Sequence, residues 1–68
     1  VKALELEHGQ RVAALRVTMR QRERDAIAAA SLANDTGTVA SVRLWYAARA
    51  RLRYTEWQVA TMGAYRYP

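Results

Sequence analysis

Cysteine is absent from the sequence, which rules out a disulfide framework and removes thiolate from the available metal ligands. Histidine occurs once, as His8, beside Glu5, Glu7 and Gly9, and no second or third ligand stands at zinc or iron spacing from it. No metal and no cofactor is expected. No apolar run approaches the roughly 18 to 20 residues needed to cross a bilayer, and Val1 to Gln10 lacks the basic start and apolar centre of a signal peptide. The chain therefore reads as soluble and without a targeting segment, and its compartment stays open. A start at Val1 rather than methionine fits a processed product, a fragment or an incompletely known sequence.

Catalytic patterns are missing as well. Glu23 and Asp25 lie on different helix faces and form no carboxylate pair for general acid and base work. Gly37 belongs to no phosphate-cradling glycine loop, and neither Ser31 nor Ser41 has a histidine at a meaningful spacing. The expectation is a protein that is not an enzyme. With 68 residues there is room for one small domain, and a chain of that length buries only about 60% of the surface it exposes when unfolded. Lacking disulfide and metal staples, such a chain is expected to gain stability from a protein partner or from homo-oligomerisation.

What the sequence does hold is arginine, alanine and aromatic rings. The formal charge of +5 is carried almost wholly by arginine, Lys2 being the one lysine. Arginine stacks on aromatic rings and binds carboxylate or phosphate in two-pronged fashion, so it suits protein interfaces and nucleic acid alike. From Gln10 onward Val12, Leu15, Met19, Ala26, Ala29 and Ala33 recur at spacings of three and four, interrupted by Arg22. Arg16, Arg20 and Arg24 follow one another at one-turn intervals and form a candidate docking strip for acidic groups. Before this segment, Gly9 costs a helix interior about 1 kcal/mol relative to alanine and is a candidate fray point.

The strongest break is Asn34-Asp35-Thr36-Gly37-Thr38. Asn34 and Asp35 compete for helix backbone groups, Gly37 is free to adopt positive φ, and Thr38 or Ser41 is placed to cap a following helix. Gly37 is thus the predicted hinge. Beyond it Trp45, Ala48, Leu52, Thr55, Val59 and Met62 form a second stripe of the same spacing, with Gly63 and Pro68 marking its end. The expected fold is all-α: a helix over about 10–34, a turn at 35–38, a helix over about 39–63 and a short tail, forming one antiparallel hairpin. Each helix of about 25 residues spans about 37 Å. The first stripe thins from large residues to alanine towards the hinge, which suits a close approach of the second helix there.

Two helices bury only one seam, so the aromatic residues Trp45, Tyr46, Tyr54, Trp57, Tyr65 and Tyr67 cannot all lie within it. Trp45, Leu52, Trp57, Val59, Met62 and Tyr65 are the candidate packing residues, with Trp45, Leu52, Val59 and Met62 set against Val12, Leu15 and Met19. Arg49 and Arg53 join the charged docking candidates.

The run from Ala26 through the alanines to Asn34-Asp35-Thr36-Gly37-Thr38-Val39, followed by the small Ala47 and the aromatic Tyr65, resembles the helical hairpin of the outer-membrane efflux channel (TolC-like) family. The register holds without gaps over roughly residues 13 to 67, a small part of a full family member. The resemblance implies one hairpin of a periplasmic coiled-coil tunnel, assembled as trimers and meeting an adaptor protein at the hairpin tips, and hence a place in the cell envelope. A phage or virion component is the other assembly that suits such a hairpin. A second stretch, Gly37-Thr38-Val39-Ala40-Ser41 followed by Ala48-Arg49-Ala50-Arg51-Leu52-Arg53, resembles the recognition helix and basic tail of a sigma-factor-like helix-turn-helix. It implies a nucleic-acid-binding module in which Arg43, Arg49, Arg51 and Arg53 hold phosphates. Counted from Ile27, its apolar anchors arrive one place late. Spacing therefore favours the hairpin tip over the recognition corner.

Overall fold

The computed structural model describes residues 2–66. Val1, Tyr67 and Pro68, the last expected to help mark the end of the second helix, lie outside the described residues. Two helices make up the fold, α1 (Lys2–Thr36) and α2 (Val39–Ala64), folded back antiparallel over the turn at Gly37. The rod measures 52 × 14 × 12 Å between Cα extremes, and its long dimension matches the roughly 52 Å of a 35-residue helix at 1.5 Å per residue.

The turn is built as the side chains require. Gly37 takes φ +63° and donates its N–H to the Ala33 carbonyl at 2.8 Å, which is the single-bond left-handed cap of a helix C-terminus. Thr38 caps α2 in extended backbone, its hydroxyl accepting the Ser41 N–H at 3.1 Å. Ser41 in turn donates its hydroxyl to the Thr38 carbonyl at 2.9 Å, and Thr36 Oγ1 lies 2.9 Å from Ser41 Oγ. Three hydroxyl side chains thus tie the end of α1 to the start of α2. Replacing Gly37 with valine forces a β-branched residue into left-handed backbone, and the expected cost is about 1–2 kcal/mol. A urea titration followed by circular dichroism reads this loss directly. The same substitution at Gly63, which is helical and has open space at its Cβ position, is the control.

The seam follows the heptad spacing. Along α1, His8, Val12, Leu15, Met19, Arg22, Ala26, Ala29 and Ala33 are buried or half-buried, and along α2 so are Ser41, Trp45, Ala48, Leu52, Thr55, Val59 and Met62. Intervals of three and four alternate without a slip on both helices, the repeat that keeps one stripe facing a neighbour over many turns. The antiparallel register, tied at the turn by Thr36 and Ser41 and at the open end by His8 and Met62, sets Ala33 level with Ser41, Ala29 with Trp45 and Ala26 with Ala48. Arg22 then faces Leu52, Met19 faces Thr55, Leu15 faces Val59 and Val12 faces Met62.

Two expectations about the first helix are corrected. It begins at Lys2 rather than near Gln10, and it runs through Gly9 without fraying. The reason is tertiary. His8 Nε2 donates to the Met62 carbonyl at 2.6 Å, and its ring lies 5.7 Å from that of Tyr65. A glycine penalty of about 1 kcal/mol is offset by one long-range hydrogen bond and the packing around it. The second helix closes with the Tyr65 N–H on the Met62 carbonyl at 3.3 Å and the Arg66 guanidinium on the Gly63 carbonyl at 2.9 Å, a cation at the negative end of the helix dipole.

The core is thin. Buried apolar residues among those described are Val12, Ala33 and Ala48, and no large side chain is fully buried. The radius of gyration is 15.8 Å, where a compact chain of this length has about 11 Å. The accessible surface is 5344 Å², about 1,000 Å² above what a compact monomer of this mass exposes.

Candidate functional site

The helical period that fills the seam also fixes what points away from it. Half a turn from the seam of α2, at the same alternating spacing, stand Ala40, Arg43, Ala47, Ala50, Tyr54, Trp57, Thr61 and Ala64, all exposed. This outer stripe is alanine and aromatic, with Arg43 as its one charge. Tyr46 and Arg53 flank it on one side, Leu44 and Arg51 on the other. The opposite helix is different: the outer stripe of α1 is broken by Glu7, Gln10, Gln21, Arg24 and Asp35. A helix with apolar residues on two opposite sides has the pattern of one that packs between two neighbours.

The aromatic rings of the stripe are pre-arranged. Tyr54 and Trp57 stack with centroids 6.1 Å apart and planes 22° from parallel, although both side chains are 61% exposed. Trp45 and Tyr46 stack at 5.3 Å and 28°, and the Arg49 guanidinium carbon stands 5.9 Å from the Trp45 ring centroid, within reach of a cation–π contact. Tyr46, Arg49, Ala50 and Arg53 enclose a shallow groove of about 240 Å³. Its lining is one tyrosine ring and an alanine between two arginines.

Charge is as one-sided as the stripe. Arg43, Arg49, Arg51 and Arg53 stand on α2 against the single acid Glu56, which lies on the seam side of the helix rather than on the outer stripe. Arg16, Arg20 and Arg24 are exposed along α1, wound gradually around that helix because a four-residue interval overruns a heptad face. Arg16 reaches the open end, where it lines a groove with His8, Val12 and Tyr65. Arg22 enters the seam, and its Nε is buried with no hydrogen-bond partner.

The packing candidates divide. Trp45, Leu52, Val59 and Met62 are half-buried in the hairpin's own seam, where Trp45 lines a groove with Ala30, Ala33, Asn34 and Val42. Trp57 and Tyr65 are exposed, but Tyr65 belongs to the open-end cluster with His8. Of the six, Trp57 alone stands on the outer stripe. Ala50 and Tyr54, its companions there, and Tyr46 beside them were not among the candidates, because their spacing marks them only once the position of α1 is known. Gly37 stands at the hinge as expected.

The helices lie side by side and antiparallel, without the steep crossing that a helix-turn-helix requires. Among the described residues no group of three histidine, aspartate or glutamate side chains is placed to hold a metal ion, and no helix is long and apolar enough to cross a membrane. Compared with family models, with curated proteins and with solved structures, the chain finds no match in any of the three.

Proposed function

We propose that the chain is a non-enzymatic structural and interaction module, a helical hairpin that packs into a larger assembly. One observation carries this reading: among the described residues the hairpin buries three apolar side chains, while Leu44, Tyr46, Tyr54 and Trp57, on or beside the outer stripe of α2, are each more than half exposed. Single exposed apolar residues are ordinary on a protein surface, but a contiguous stripe marks an interaction site. A core of that size leaves the two helices marginal alone, because helical stability in proteins comes mainly from packing an apolar face. The remaining stability comes from whatever covers the outer face of α2.

An envelope channel-like component and a phage or virion-like component are the assemblies this reading proposes. The antiparallel hairpin, alanines before the turn and Gly37 at its tip are what the efflux-channel resemblance contributes. The second reading is a basic module that holds nucleic acid, supported by the groove formed by Tyr46, Arg49 and Arg53, since exposed rings stack on bases and guanidinium groups neutralise phosphate. Salt separates the two. Binding carried by several arginine–phosphate contacts weakens steeply between low and physiological salt, and absence of duplex or single-strand binding at low salt removes that reading.

The module reading is tested by thermal unfolding of the isolated chain at a series of micromolar concentrations. The expected melt is broad, with a midpoint that climbs with concentration if copies associate, as mass action requires, or with weak helicity at every concentration if they do not. A sharp, concentration-independent two-state transition contradicts the proposal.

A further inference from the structure

Resting on the module reading, we infer that the outer stripe of α2 seats an acidic amphipathic helix of a second protein. Its apolar seam would lie along Ala47, Ala50, Tyr54 and Trp57, and its carboxylates would meet Arg43, Arg51 and Arg53. The shape of the occupant follows from the spacing. Alternating intervals of three and four over Ala40 to Ala64 present the ridge that a neighbouring helix packs against. Ala47 and Ala50 leave hollows beside the stacked Tyr54 and Trp57 rings, so large partner side chains enter at one end and small ones at the other.

Charge selects among possible occupants. A second copy, paired antiparallel so that Trp57 and Tyr54 sit over Ala47 and Ala50, brings Arg51 beside the other Arg51 and Arg53 beside the other Arg53. No acid lies on that side of α2 to separate them, and like charges placed face to face across an interface disfavour the pair. The outer stripe of α1 offers no continuous apolar complement, because Glu7, Gln10, Gln21, Arg24 and Asp35 break it. Nucleic acid fits the flanking arginines and the rings, but gives no use to the alanines Ala40, Ala47, Ala50 and Ala64 that make up half of the stripe. A helix with an apolar seam and acidic flanks answers both the centre and the rim.

The test uses the full chain and two designed helical peptides, each with a leucine and alanine seam, one with glutamate on both flanks and the other with lysine at those positions. Binding is followed by fluorescence anisotropy of the labelled peptide. The glutamate peptide is expected to bind at least about tenfold tighter than the lysine peptide, and Trp57→Ala to weaken it by about tenfold or more, as truncation of a central aromatic anchor does. Trp57 is exposed, so the variant keeps the wild-type helicity, and Ile27→Ala on the outer side of α1 leaves binding unchanged. Equal binding of the two peptides, binding of neither, equal loss with Ile27→Ala, or tighter binding of a single-stranded oligonucleotide each overturns the inference. Self-association of the chain that Trp57→Ala abolishes, with neither peptide bound, overturns it while leaving the module reading in place. A stable monomer that binds neither peptide removes both.

Discussion

Ala48→Asp is expected to unfold the hairpin, whereas Ala47→Asp, one position along the same helix, leaves it folded. Ala48 is 5% exposed and lies level with the half-buried Ala26 in the seam. A carboxylate there has no cation or donor within the layer. Burying an unpaired charge costs several kcal/mol, which exceeds what a seam with so few buried side chains can supply. Ala47 lies on the outer stripe in water, so its replacement carries only the difference in helix propensity, about 0.5 kcal/mol. The pair separates burial from propensity, and far-ultraviolet circular dichroism with a urea titration reads both. Equal loss of helicity in the two variants would mean that the seam does not run through Ala48.

Arg22→Leu carries the opposite sign: the variant is expected to be more stable than the wild type by about 1–3 kcal/mol. Arg22 occupies a central seam position level with Leu52, with its Nε buried and unpartnered. Its long stem covers apolar surface while the head leans toward the groove lined by Thr18, Gln21 and Asp25. Leucine at that position completes an apolar layer and removes the orphaned donor. For a domain of this size, 1 kcal/mol raises the midpoint of thermal unfolding by about 4–8 °C. A polar residue at one seam position holds a coiled coil to one register at a cost in stability. The same substitution is therefore expected to increase non-specific self-association, visible by light scattering. A lower midpoint for Arg22→Leu means that Arg22 makes a favourable contact that its leucine replacement cannot.

The seam was legible in the sequence because its carrier is periodicity. Val12, Leu15, Met19, Ala26, Ala29 and Ala33 on one side, and Trp45, Ala48, Leu52, Thr55, Val59 and Met62 on the other, mark it by spacing alone, and the interruption at Arg22 is real. Gly37 was legible because a polar cluster ending in glycine between two periodic segments has few other uses. The start of α1 was not, since the local cost of Gly9 is visible in the sequence while the compensating His8–Met62 bond joins residues 54 apart. The outer stripe of α2 was missed for another cause. Its heptad runs in antiphase to the seam, so the two repeats together look like a helix uniformly rich in alanine and rings, and only the placement of α1 tells which stripe is left uncovered. Tyr46 and Tyr54 could not be separated from Trp45 until that placement was known.

On the proposed reading the hairpin is one part of a larger packing unit, with α2 as its inner helix. Sedimentation velocity of the isolated chain over a range of micromolar concentrations tests that claim most directly. The expected result is a frictional ratio and mass that change with concentration, or a monomer with weak helicity, because the outer stripe has nothing to cover it. A single concentration-independent species with the mass of one chain, unfolding in one cooperative step, would contradict it.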